Sequence, residues 1–130
     1  MKGWPRKFDS AQDLKTAKEI KPAIVEARDY YAKQLTHSKP RYILGKIEIL
    51  ESRYFEKETD DKIQKELDKE WIEDLTEYPP DLIDLACKNW RRSDRNYSPR
   101  SAGVLMASVK TEYVKRKSIF SKAEAVLTLI

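Results

Sequence analysis

At 130 residues, 40% of them hydrophobic and 37% charged, the chain can bury one core and has little room for two domains of ordinary size. A single cysteine excludes an intramolecular disulfide, and no stretch approaches the roughly 20 apolar residues of a membrane span, so a reducing, cytoplasmic setting is expected. The net charge of +4 is unevenly spread: residues 1–47 hold 11 Lys/Arg against 5 Asp/Glu, residues 48–84 hold 5 against 14, and residues 85–130 hold 10 against 3.

Residues 1–9 read as an arm in which Trp4-Pro5 and Phe8 can pack, with Pro5 preventing a long helix and no apolar run that would mark a signal peptide. Ser10-Ala-Gln-Asp13 has capping-box spacing, so a short helix is expected from Ala11. Pro22 suits the first turn of another, along which Ile24, Ala27, Tyr31 and Leu35 recur at helical spacing until His37-Ser-Lys-Pro40. From Arg41, residues Ile43, Ile47, Leu50 and Tyr54 form a further apolar stripe, widened by Leu44.

Thr59-Asp60-Asp61 supplies capping oxygens to a helix that is expected to bury Ile63, Leu67, Trp71 and Leu75. Tyr78-Pro79-Pro80 ends it, and Pro80 opens a helix with Leu82, Leu85, Ala86 and either Asn89 or Trp90 on one face. A basic loop follows, and Ser98-Pro99 is the expected start of a helix that carries Leu105, Val109, Glu112, Tyr113 and Arg116 to about Lys117. Ser121-Lys-Ala-Glu124 caps a last short helix with Val126 and Leu129. Three glycines suit this helical pattern. The expectation is an all-α fold: a compact bundle of about five helices plus a short C-terminal helix, in one domain over residues 10–130.

No set of residues in the sequence builds a reaction. His37 and Cys87 are each the only one of their kind, too few for a zinc site and a weak basis for a nucleophile and its base. Gly45-Lys46 lacks the earlier glycine and the following Ser or Thr of a phosphate loop, having Pro40 and Ile47 there instead. The acids between Glu48 and Asp84 come without the ligands of a metal loop. No enzyme, metal or cofactor is therefore expected.

The basic loop is the richest candidate for contact. Lys88, Arg91, Arg92, Arg95 and Arg100 surround Tyr97, and Lys115, Arg116 and Lys117 follow. Arginines grip phosphates or carboxylates bidentately, a tyrosine stacks on a base, and a Ser-Pro helix start offers N–H groups to an anion. Trp90, beside two arginines near a helix end, is placed to be half exposed and to anchor a partner. The plainer alternative is a solvated loop neutralised by the acidic middle of the same chain. The apolar end, with Val126, Leu127, Leu129 and Ile130, either packs on the bundle or mediates self-association.

Trp71-x3-Leu75, Tyr78-Pro79, Leu82-x3-Ala86, Trp90-Arg91 and Ser98-Pro99 together resemble a class of small helical proteins of phages and mobile elements, the loaders and inhibitors of replicative helicases. The resemblance spans roughly residues 41–117. It implies a non-catalytic adaptor that binds a hexameric replicative helicase, or another replisome protein, and either delivers it or holds it inactive, sometimes with weak DNA affinity. The chain departs from the larger loaders in having no ATPase module, and from the minimal versions in its longer C-terminal helix, so both roles stay open. Two other readings stand beside it. One is a DNA-binding regulator that uses the basic loop and the Lys115–Lys117 patch, and the other is an inhibitor with an acidic face that mimics nucleic acid.

Overall fold

The computed structural model describes residues 11–54 and 60–130. The expected arm with Trp4, Pro5 and Phe8, the Ser10 cap and Thr59 lie outside the described residues. Every regular element among the described residues is helical, the all-α fold expected from the sequence. Contacts group the chain into two units: Thr36–Tyr113, and Met1–Leu35 together with Val114–Ile130.

The 36–113 unit is built around helix α4 (Pro80–Arg91), which packs on α2 (Pro40–Glu51), on α5 (Ala102–Met106) and on a 3-10 turn, Ala107–Val109; α3 (Asp61–Leu75) packs on α2 and α5. Pro40 and Pro80 open α2 and α4 because a proline's fixed φ and missing N–H cost nothing in a first turn. Asp60 caps α3 by accepting from the Ile63 N–H at 2.9 Å. The core takes Ile43, Ile47 and Leu50 from α2, Trp71 and Leu75 from α3, Leu82, Ile83, Ala86 and Trp90 from α4, and Leu105, Met106 and Val109 beyond. Buried Ser38 pins the α3–α4 corner. Its N–H donates to the Thr76 carbonyl at 3.0 Å and its hydroxyl to the Tyr78 carbonyl at 2.6 Å. Tyr42 donates to the Pro80 carbonyl at 3.1 Å.

The structure corrects several expected faces and boundaries. The expected stripe of α3 is half sealed: Trp71 and Leu75 are buried, whereas Ile63 is 51% and Leu67 38% exposed. On α4, Ile83 is buried and Leu85 exposed, because a helix packed on two sides turns Leu82, Ile83, Ala86 and Trp90 inward and leaves Leu85 roughly 110° from the centre of that arc. The helix expected at Ser98-Pro99 starts at Ala102. There the Ser101 hydroxyl accepts from the Val104 N–H at 3.3 Å, while Pro99 is buried. Tyr54 lies past the end of α2.

The second unit holds α1 (Ala11–Lys33) and most of α6 (Lys110–Leu127); the boundary between units falls inside α6. α1 runs through Pro22 rather than starting there, with the Lys18 carbonyl forgoing its helical donor. α6 is likewise unbroken where a stop near Lys117 and a new start at Ser121 were expected. No glycine or proline follows Gly103, and a capping residue without a breaker does not end a helix. Ala123 and Val126 are buried and Leu127, Leu129 and Ile130 are half-buried, so the apolar end is largely covered. Buried Arg116 donates from Nη1 to the Gln34 carbonyl at 2.9 Å, across 82 positions of sequence.

Candidate partner-binding surface

The last turn of α4 positions the basic loop. Trp90 follows Ala86 by one turn and inherits its buried face, so the tryptophan is only 3% exposed. This corrects the expected half-exposed anchor: Trp90 organises the surface from beneath. Its Nε1–H donates to the Tyr97 carbonyl at 2.9 Å, the Tyr97 ring meets it edge-on at 6.0 Å, and the Arg95 guanidinium lies over it at 4.4 Å. The Ser93 hydroxyl donates to the Trp90 carbonyl at 2.6 Å, and the N–H groups of Arg92 and Ser93 close the helix end on Lys88 and Trp90. A buried indole N–H needs an acceptor, and here that acceptor is the far side of the loop. The result is a short closed turn of backbone wrapped on a tryptophan.

On the outside of that turn Arg92, Arg95 and Arg100 are exposed, as are Lys88 and Arg91 on α4, and Tyr97 is 48% exposed. Residues 92–97 line a shallow open depression in which Asp94 offsets part of the charge of Arg92 and Arg95. The expected helix start at Ser98-Pro99 contributes no N–H cluster, since the backbone there is not helical. Lys115, Arg116 and Lys117 belong to the other unit. Arg116 is buried on the Gln34 carbonyl and cannot serve as an exposed contact, while Lys115 and Lys117 are exposed.

A second feature went unread in the sequence. Between α2 and α4 runs a groove of about 120 Å³ lined by Lys46, Ile49, Leu50, Arg53, Asp84, Cys87, Lys88 and Arg91. Four cations face one carboxylate, and Lys46 pairs with that carboxylate, Asp84. Among the described residues, Arg53, Lys88 and Arg91 make no side-chain hydrogen bond or ion pair. Only the pairing of two helices distant in sequence brings these residues together. The one available signal was the helical spacing of Asp84, Lys88 and Arg91 on α4.

Comparison with protein-family models, with curated proteins and with solved structures finds no match to this chain. The surface therefore has to be read from its chemistry. Burial pushes the Cys87 thiol up to about 11, and Asp84 adds to that while Lys46 opposes it. It is a neutral thiol at pH 7 and a poor nucleophile there. His37 is exposed in the turn before α2. No group of three or more His, Cys, Asp or Glu among the described residues is arranged to hold a metal ion, and no described helix is long and apolar enough to cross a membrane.

Proposed function

We propose that this chain is a non-catalytic adaptor of DNA replication that binds a replicative helicase and loads or inhibits it, using the face formed by Arg91, Arg92, Arg95, Tyr97 and Arg100. The observation that carries the reading is the closed turn on Trp90. It holds the exposed arginines on a rigid base, so docking costs little ordering entropy. A cluster of arginines around a half-exposed tyrosine, with Arg95 held over Trp90, suits an acidic protein surface that also offers apolar area. The helicase as partner comes from the resemblance of residues 41–117 to helicase loaders and inhibitors.

The test is direct binding to a purified bacterial replicative helicase hexamer. Arg91→Ala combined with Arg92→Ala is expected to weaken binding by about tenfold or more at unchanged helical content, because both side chains are exposed. A folded double variant that binds as wild type would sink the assignment of this face.

Exposed Tyr97, which lines the same depression as Arg92 and Arg95, also favours a second reading, a single-stranded DNA contact in which a base stacks on the ring. It requires affinity that falls steeply with salt as counterions are released. Salt-insensitive or absent binding of an oligonucleotide would remove it.

A further inference from the structure

The α2–α4 groove and the unsealed half of α3 have complementary surfaces. In the groove, Ile49 stands 63% exposed beside Leu50 and Cys87, under the unpaired cations Arg53, Lys88 and Arg91. On α3, Ile63 and Leu67 lie one turn apart and face solvent. At roughly 100° per residue, Glu66, Glu70 and Asp74 fall on or beside that apolar stripe, whereas Lys62, Lys65 and Lys69 fall on the far side of the helix. Glu66, Glu70 and Asp74 are exposed and form no ion pair among the described residues. The first half of α3 thus presents an exposed acidic amphipathic face, and no residue of α3 lines the groove of its own chain.

We propose that the basic groove between α2 and α4 receives the acidic apolar face of α3 from a second copy of this chain. Both halves of the contact are present on every molecule, so a two-fold pair satisfies them reciprocally. The occupant is a protein helix rather than nucleic acid because Ile49 gives the groove an apolar wall that a phosphate backbone would leave wet. An acidic helix with an apolar stripe covers Ile49 with Ile63 and Leu67 and brings glutamates to Arg53, Lys88 and Arg91. The contact is independent of the helicase reading. It shares Arg91 with the adaptor face, so it competes with whatever partner uses that residue.

Sedimentation of the full chain over a range of concentrations tests this with a charge swap. The wild type is expected to self-associate as concentration rises, less so at high salt. Lys88→Glu with Arg91→Glu, and separately Glu66→Lys with Glu70→Lys, each raise the dissociation constant by about tenfold or more. An equimolar mixture of the two variants restores association, now between unlike copies. Arg92→Ala with Arg95→Ala changes nothing, which separates this contact from the loop. If a double variant loses helical signal, the single change Ile49→Ser at an exposed position carries the same expectation of weakening. A wild type that stays monomeric, variants that associate as it does, a mixture that fails to restore, or dependence on the loop arginines would each overturn the proposal.

Discussion

Helices α3 and α4 are neighbours in sequence, and the sequence reading gave both an inward apolar stripe, yet they meet different fates. α4 lies against α2, α5 and the 3-10 turn and seals Leu82, Ile83, Ala86 and Trp90. α3 buries only Trp71 and Leu75 and leaves Ile63 and Leu67 in water. Helical periodicity reports which face is apolar; whether a neighbour covers that face is decided elsewhere in the chain. Adjacent apolar residues left uncovered together, as Ile63 and Leu67 are, make the informative case, since a contiguous patch marks surface available to another molecule.

The contrast is sharpest in stability. Trp90→Ala should cost about 3–5 kcal/mol, the loss of a large buried ring, and should release the loop whose Tyr97 carbonyl it holds. Denaturant unfolding reads the first effect and protease sensitivity at residues 92–97 the second. Ser38→Ala, at the corner joining the two helices, should cost about 1–3 kcal/mol by stranding the Tyr78 carbonyl that Ser38 now satisfies. A loss near zero would mean that the corner is held without this hydroxyl, by the Ser38 N–H, Tyr42 and the prolines.

The same corner makes an alkaline prediction. Tyr113 packs its ring against that of Tyr78, tilted by 46° at 4.5 Å, and donates its hydroxyl to Glu77 Oε2 at 3.0 Å. Burial, and then the Glu77 hydrogen bond and charge, push the Tyr113 phenol up from 10.0 to about 12. The neutral form is favoured in the fold, so this contribution is fully present below pH 10 and is lost as pH rises toward about 12. The decline of melting temperature over that window should flatten in Tyr113→Phe. An unaltered slope would assign the alkaline loss to other groups. Smallest of all, Ile63→Ala should change stability by no more than about 0.5 kcal/mol in dilute solution, as befits an exposed position. A loss as large as that of a core residue would erase the difference between the two helices.

What the sequence disclosed follows the reach of each signal. Pro40, Pro80 and Asp60 act on their own first turns, so the starts of α2, α3 and α4 were legible. Pro22 and Ser121 carry the same local signals inside helices that neighbouring residues propagate, and there the expected boundaries dissolved into α1 and α6. The arginine loop was visible as composition. Its organisation was not, because the loop closes through a hydrogen bond from the Trp90 indole to a carbonyl seven positions away. The α2–α4 groove joins Lys46–Arg53 to Asp84–Arg91 and exists only once the helices pair.

The hydrogen bond from Arg116 to the Gln34 carbonyl sets an order of assembly. The ring it closes contains every residue of the 36–113 unit, so the entropy of closing it depends on whether those residues are already folded. A folded 36–113 unit shortens the flexible part of that ring, so the pairing of α1 with α6 is set to follow it.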